Sequence, residues 1–105
     1  MGRFYFRVHE MGGQAVLAIA DEESIGKKYE GGGRVLDLES FASFYKGELA
    51  HEEKIKKLLL ECESANLAGR GICRLAVEHG FAKESHIVDI GGISHMQLYR
   101  IVEGK

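Results

Sequence analysis

Alternating residues near the N-terminus place cations and an aromatic ring on one face of a predicted strand. Arg3, Tyr5, Arg7 and His9 alternate with apolar residues, which is the two-residue period of a strand with one buried face. Such a face suits single-stranded nucleic acid, because an aromatic ring stacks on a base while neighbouring cations contact phosphates. We therefore predict base stacking on Tyr5 and phosphate contacts from Arg3 and Arg7.

A second face of this kind lies near the C-terminus. His95, Gln97 and Tyr99 share one face of a predicted strand, and the Gln97 amide can hydrogen-bond a base edge. If the two strands are neighbours in the sheet, their polar faces merge into one nucleic-acid surface. The alternative is the ordinary solvated face of a sheet, on which Tyr5 and Tyr99 stabilise cross-strand pairs.

Two arginines form a third candidate site. Arg70 and Arg74 are four residues apart, which places them on one face of a predicted helix, and Asn66 comes one turn earlier. In a functional interpretation this face contacts phosphates or an RNA backbone. In a structural interpretation Asn66 caps the helix and the arginines are simply exposed.

Two glycine clusters lie beside side chains that suit an anion. Residues 31–33 precede Arg34, and residues 91–92 precede His95; successive backbone N–H groups in such clusters can form an anion-binding nest. Neither cluster matches a phosphate-binding loop, since no Gly-Lys-Ser/Thr follows and no GxGxxG opens a helix after a strand. The alternative is that the glycines form turns in a chain that has no proline.

Metal-binding and nucleophilic motifs are absent from the sequence. It has five histidines and two cysteines but no CxxC, HExxH or HxH spacing, so a zinc site would need ligands from distant segments. Cys62 and Cys73 fall on apolar stripes and are predicted to be buried. We therefore expect no catalytic residue, no metal and no cofactor.

These side chains must be positioned by a sheet, and apolar periodicity predicts its elements. The predicted order begins with a hairpin of strands at 3–9 and 15–20, a short helix capped by Asp21, a loop at 27–33, a strand at 34–38 and an aromatic helical turn at 41–45. Helical stretches follow at 52–62 and 64–80, either as two helices or as one kinked helix, and the last elements are strands at 86–90 and 94–102. This order predicts one α+β domain over residues 1–105. We expect a two-layer sandwich, with a mainly antiparallel sheet of about five strands and two main helices on one face.

Composition excludes several classes of protein. The 105-residue chain has 14 Lys and Arg, 16 Asp and Glu, a formal net charge of −2 and 45% hydrophobic residues. This balance excludes a histone-like basic tail and a disordered chain, and it predicts weak nonspecific affinity for nucleic acid. No apolar run is long enough to span a bilayer, and the N-terminus lacks the features of a signal peptide. We therefore expect a cytoplasmic protein with no membrane partner.

Five segments of the sequence match the pattern of a known family in order and spacing. They are FYFRVHEMGG from residue 4, DEESIGKKYEGG from 21, FYKGE from 44, SANLAGRG from 64 and IGGISHMQLYR from 90. Together they resemble the archaeal family called domain of unknown function 424. The resemblance implies a small archaeal cytosolic α+β protein and transfers no catalytic residue. It also suggests a role near RNA or translation.

Three functional hypotheses follow. The leading one is a noncatalytic binding module that contacts RNA or a ribonucleoprotein through the two polar faces. The second is an oligomeric adaptor such as a homodimer, because residues 15–20 are apolar on both faces of their strand. The third is an enzyme or binding protein for a small phosphorylated ligand, with the glycine clusters around the ligand and His95 as acid or base.

Overall fold

Eight strands and three helices form within residues 2–99, which are the residues that the computed structural model describes. The strands are β1 (Phe4–Met11), β2 (Gln14–Asp21), β3 (Lys28–Gly31), β4 (Arg34–Asp37), β5 (Glu48–Ala50), β6 (Ser64–Ala68), β7 (Val88–Ile90) and β8 (Ile93–Tyr99). The helices are α1 (Ala42–Tyr45), α2 (Glu52–Glu61) and α3 (Arg70–Glu78).

Six of these strands form one mixed sheet in the order β5-β1-β2-β6-β8-β7, and β3 and β4 form a separate two-stranded hairpin. Most neighbours in the large sheet are antiparallel, but β2 and β6 run parallel. The α+β class is therefore confirmed, whereas the predicted sheet of about five strands is wrong in its details. The pair is parallel because the chain that leaves β2 returns through α2 to the end of the sheet at which β2 begins, and β6 starts there.

The main apolar core lies between the sheet and helices α2 and α3. Ile55 and Leu59 of α2 are four residues apart and lie on one stripe of that helix, and Ile72 and Ala76 of α3 are spaced in the same way. Across from them, the inward-facing residues of the central strands are fully or almost fully buried: Phe4, Phe6, Leu17, Ile19, Leu67 and Met96.

The opposite face of the sheet is covered too, by α1 and the β3–β4 hairpin. Small residues of the sheet, Ala18, Ala20 and Ala68, meet Leu38 and Tyr45 from this covering layer. The sheet and the layers that cover its two faces make three layers, so the predicted two-layer sandwich is wrong. The apolar character of both faces of residues 15–20 follows from this arrangement, because β2 is a central strand that its own chain covers on both sides.

Local boundaries also differ from those predicted. Residues 64–68 form a strand between β2 and β8, so the helical stretch predicted from residue 64 begins only at Arg70. The loop predicted at 27–33 contains β3, and β5 was not predicted. The last predicted strand is found as Ile93–Tyr99, and residues 100–102 of that prediction lie outside the described part of the chain.

A buried carboxylate joins the end of β2 to the start of α3. Asp21 accepts two backbone hydrogen bonds, from Gly71 N to Oδ2 at 2.7 Å and from Ile72 N to Oδ1 at 2.8 Å. It therefore caps a helix that begins 49 positions further along the chain, at Arg70. Burial raises the pKa of the Asp21 carboxyl above its ordinary value, while the two N–H donors act in the opposite direction.

Glycine is required beside this carboxylate. Gly69 has a φ of +125°, and a Cβ built on it would lie 2.4 Å from Asp21 Cγ. A Cβ on Gly71 would lie 3.1 Å from both carboxylate oxygens. The glycines of the segment SANLAGRG thus let the backbone approach Asp21 closely.

The isosteric variant Asp21→Asn tests this cap. Each Asp21 oxygen accepts a different N–H, so an asparagine can satisfy only one donor and turns its own NH₂ group toward the other. We expect the free energy of unfolding to fall by about 1–3 kcal/mol, the cost of an unsatisfied buried donor. Urea denaturation followed by circular dichroism measures this change.

Asp37→Asn is the matched control. A single oxygen of the half-buried Asp37, Oδ1, accepts both the Glu39 and Ser40 N–H groups, and an asparagine retains that oxygen. We expect a much smaller change in the urea midpoint than for Asp21→Asn. Equal effects of the two variants would contradict the assignment of Asp21 as the cap that stabilises α3.

Candidate nucleic-acid interface

A groove runs along β8 on the side of the sheet that carries the β3–β4 hairpin. We call it the β8 groove, and its volume is about 410 Å³, a size that suits a small ligand or one nucleotide. Its lining contains an exposed aromatic ring, two imidazoles, an amide and a guanidinium: Arg34, His86, Val88, His95, Met96, Gln97 and Tyr99.

Strand alternation positions three of these side chains. His95, Gln97 and Tyr99 occupy every second position of β8, while Met96 between them is buried against the helices. The short β7 pairs only with residues 93–95 of β8. Within the described residues, no strand therefore flanks positions 96–99 on that side, and this leaves room for the groove.

Gln97 is held by a hydrogen bond from the neighbouring strand. It lies directly opposite Asn66 of β6, and its Nε2 donates to Asn66 Oδ1 at 3.0 Å. This bond uses one N–H of the Gln97 amide and leaves its carbonyl oxygen and second N–H for another partner. The exposed Gln97 is thus oriented before any ligand arrives.

Tyr99 presents most of its ring to solvent. Its side chain is 76% exposed, the largest value among the exposed large hydrophobic residues. A ring in this position is able to stack on a planar ligand without displacing a neighbour from residues 2–98. The site therefore combines an aromatic platform with an oriented amide two residues away.

His95 lies deeper in the groove and is half-buried. Burial lowers its pKa below the ordinary value of 6.5, and the positive charge of Arg34 lowers it further. The lowered pKa favours the neutral imidazole, in which one nitrogen donates and the other accepts a hydrogen bond.

Contact between two glycine turns brings Arg34 to the groove. A Cβ on Gly31 would lie 2.7 Å from Gly91 N, and a Cβ on Gly91, whose φ is +61°, would lie 2.5 Å from the Glu30 carbonyl oxygen. The turn of the β3–β4 hairpin thus packs on the turn between β7 and β8. In this structure the glycine clusters let two turns approach each other, and Arg34 follows directly after the first of them.

The two polar faces predicted from the sequence do not merge. β1 and β8 are separated by β2 and β6, and Arg7, Ala18, Asn66 and Gln97 form one row across the four strands. Three strand spacings amount to about 14 Å. β1 and β8 are not neighbours, because the parallel β2–β6 pair lies between them. The condition under which the two polar faces would join is therefore not met.

Residues of the first predicted face have partners within the protein. The Arg3 guanidinium makes two hydrogen bonds to the Glu22 carboxylate, at 3.0 and 2.9 Å. Arg7 donates to the Ser43 carbonyl oxygen at 2.6 Å, and Lys46 Nζ lies 5.7 Å from the centroid of the Tyr5 ring. These contacts fasten neighbouring segments to β1, which is a structural role that the alternation alone could not reveal.

His9 contributes to the same attachment. Its ring stacks on Phe44 with 4.3 Å between centroids, and its Nε2 lies 2.7 Å from the Phe44 carbonyl oxygen. Arg7 and His9 therefore both hold the α1 segment over the β1 end of the sheet.

Asn66 and Arg70 are not on one helix, which corrects another prediction. Asn66 is a residue of β6 and points toward the β3–β4 side of the sheet, where it meets Gln97. Arg70 is the first residue of α3 and lies on the helical side, as does Arg74. Only Asn66 therefore belongs to the surroundings of the β8 groove.

Sequence reasoning missed two groove residues. The sequence marks Arg34 only as a neighbour of the glycine cluster, because its place in the groove depends on the packing of two distant turns. His86 precedes β7 in a short turn, Glu84–His86, and no pattern in the sequence marks it. Arg34 reaches the groove through a contact between turns about 60 positions apart, whereas His86 is brought there by the short turn before β7.

The described residues give little support to metal or nucleophilic chemistry. Among residues 2–99, no group of three or more His, Cys, Asp or Glu side chains is arranged to hold a metal ion. Burial raises the pKa of the Cys73 thiol to about 12, so it stays protonated and is a poor nucleophile. Within this range no helix has the length and apolar character needed to cross a bilayer.

The lowered pKa of His95 gives a testable pH dependence. The unfolded chain takes up a proton at His95 more readily than the folded chain, so stability falls as the pH drops below about 6.5. We expect His95→Gln to reduce the loss of stability between about pH 7 and pH 5. Urea midpoints at both pH values test this, with the exposed His51→Gln as control; an unchanged pH dependence in His95→Gln would contradict it.

Comparisons with known proteins place the chain in a family. A search of curated proteins finds no significant match. Among solved structures, the chain is similar to an uncharacterized conserved protein from Methanopyrus kandleri, with a TM-score of 0.73 and 29% sequence identity over 97% of this chain and 99% of that chain. The model of the family "protein of unknown function (DUF424)" matches residues 9–101. The resemblance seen in the sequence is thus confirmed, and the chain belongs to the DUF424 family.

Proposed function

We propose that this protein is a noncatalytic module that binds single-stranded RNA through the β8 groove, in the cytoplasm of an archaeal cell. The observation that carries the proposal is the exposed Tyr99 ring beside the oriented Gln97 amide. Single-stranded RNA exposes unstacked bases, and proteins bind them by stacking on aromatic rings and by hydrogen bonds to base edges. Tyr99 supplies the first of these interactions and Gln97 the second.

The charges around the groove support an anionic ligand. Its lining contains one permanent cation, Arg34, and no aspartate or glutamate lines it within the described residues. The whole chain has a net charge of −2, so attraction to RNA must come from this local surface. One permanent cation predicts modest affinity with a shallow dependence on salt.

Substitution of Tyr99 tests the stacking platform. We expect Tyr99→Ala to weaken binding of a short fluorescein-labelled single-stranded RNA by roughly 1–3 kcal/mol, the usual contribution of one stacked base. Tyr99→Phe keeps the ring and should retain most of the affinity. Fluorescence anisotropy at low salt measures both variants.

Phe41→Ala is the matched control for Tyr99→Ala. Phe41 is another highly exposed aromatic residue, at 65%, and it lies away from the β8 groove. We expect its removal to leave RNA affinity unchanged. Binding that is undetectable for the wild-type protein, or weakened equally by both alanine variants, would overturn the proposed function.

Arg34→Gln tests the phosphate contact. Each phosphate neutralised on a single strand contributes about 0.7 to the slope of log affinity against log salt concentration. We expect Arg34→Gln to lower that slope by about 0.7, whereas Lys57→Gln on the exposed face of α2 should not change it. An unaltered slope in Arg34→Gln would exclude a contact between Arg34 and an RNA phosphate.

A further inference from the structure

A second groove lies between strand β4 and helix α1, in the layer that covers the sheet opposite α2 and α3. We call it the β4 groove, and its volume is about 510 Å³. Six apolar or aromatic side chains line it: Val35, Leu36, Leu38, Phe41, Phe44 and Tyr45. The proposed RNA-binding function makes no use of this groove.

One wall of the β4 groove is the edge of a two-stranded sheet. In the described part of the chain, β4 pairs only with β3. Leu38 N donates to the Lys27 carbonyl oxygen at 2.8 Å, so the backbone groups of every second residue counted back from Leu38 face β3. Those of Val35 and Asp37 therefore face away from β3. The Asp37 carbonyl accepts the Phe41 N–H at 3.2 Å, which places the start of α1 on this same side of β4.

Three main-chain groups on this edge have no partner among residues 2–99: the Val35 N–H, the Val35 carbonyl and the Asp37 N–H. Unpaired N–H and C=O groups along an edge strand form a template on which a further strand can pair. Val35 is also 59% exposed, and a β-branched side chain on such an edge suits contact across a strand pair.

The opposite wall, α1, is fixed to the rest of the protein. Arg7 donates to the Ser43 carbonyl oxygen at 2.6 Å, and the His9 ring stacks on Phe44. Both walls are thus in place before a ligand arrives, which reduces the entropy lost on binding.

The position of α1 also selects the form of the ligand. A single extended strand fits between β4 and α1. In a second copy of this chain, β4 carries β3 on its other side, and on pairing that β3 would lie where α1 already is. The groove therefore favours one strand over the edge of another sheet.

Alternation along β4 specifies the side chains of that strand. Leu36 points inward, where Phe44 and Tyr45 also line the groove, so the residue opposite Leu36 meets an apolar surface. Val35 and Asp37 point to the other face. Asp37 has no cationic nitrogen within 4.0 Å among the described residues, so a lysine or arginine opposite it completes a cross-strand ion pair.

We propose that the β4 groove binds an extended segment of a partner protein, which adds to β4 as a third, antiparallel strand. Antiparallel pairing is the more stable arrangement per residue. From its N-terminus, the segment has a lysine or arginine opposite Asp37, an apolar residue opposite Leu36 and a β-branched residue opposite Val35. Main-chain hydrogen bonds supply affinity, and the alternate side chains supply specificity.

NMR titration of the whole protein with the peptide acetyl-Thr-Lys-Leu-Val-Thr-amide tests this site. We expect saturable shifts of the Val35 and Asp37 amides. We also expect an NOE between the Hα of Leu36 and the Hα of the peptide leucine, because these residues form the non-hydrogen-bonded type of antiparallel pair, in which the Cα atoms are closest. Absence of saturable shifts or of this NOE would overturn the proposal.

Two altered peptides separate strand pairing from general apolar contact. N-methylation of the peptide valine removes the N–H that donates to the Val35 carbonyl, and it should weaken binding about tenfold. Replacement of the peptide lysine by glutamate places like charges opposite each other at Asp37 and should weaken binding about fivefold. Equal binding of all three peptides would contradict strand addition.

Variants of the protein test both walls. Val35→Pro removes the N–H that faces the groove and keeps the bonds to β3, a position at which edge strands accept proline; we expect about tenfold weaker binding. Phe41→Ala changes a side chain that is 65% exposed and should weaken binding about fivefold. Leu60→Ala, at a 61% exposed residue of α2, is the control and should bind like the wild-type protein. Equal effects of Phe41→Ala and Leu60→Ala, or self-association through β4 in the absence of peptide, would argue against a peptide site.

Discussion

The Asp21 carboxylate is the interaction on which the arrangement of this fold depends. It stands at the end of β2 and accepts the first free N–H groups of α3, so it fixes the start of a helix to a strand that is distant in sequence. Because β6 leads directly into α3, this contact also holds β6 beside β2 in parallel. Gly69 and Gly71 are glycines because a Cβ at either position would press on the carboxylate. This junction thus supports the β2–β6 pairing, and β2 and β6 together separate the polar surfaces of β1 and β8.

Local patterns predict the elements that depend on local physics. Strict alternation identifies β1 and β8 and the residues that share each face, and helical spacing identifies α2 and most of α3. Residues 64–68 were misassigned because Ser-Ala-Asn-Leu-Ala is rich in small residues without β-branching and lies next to a helix. Its strand conformation is imposed by pairing with β2 and β8 on both sides. The two strands of this parallel pair are joined by a long crossover. The sequence of neither strand alone therefore predicts that they pair.

In the candidate site too, local patterns predict some residues, and tertiary contacts place the others. His95, Gln97 and Tyr99 were predicted together and lie together, since three alternate residues of one strand need no tertiary information to share a face. Arg34 and His86 could not be assigned to that face, because a contact between two turns brings one of them there and a short turn before β7 brings the other. Conversely, Arg3 and Arg7 have the residue types of a phosphate site but are used to fasten loops to β1. Residue type and spacing reveal which groups share a surface, and only the packing reveals whether they already have partners.

Net charge is therefore a poor guide to what this protein binds, whereas the pairing of charges is informative. Arg3, Lys28 and Lys56 each lie within 4.0 Å of a carboxylate, so much of their field is cancelled close to the surface. Arg34, in contrast, faces a groove whose described lining has no carboxylate. Close to that groove a ligand experiences one sign of charge, although at distances beyond the screening length of about 10 Å the chain is nearly neutral. Under the proposed function, few anions are attracted nonspecifically, and RNA recognition depends on contact with the side chains themselves, above all with the ring of Tyr99.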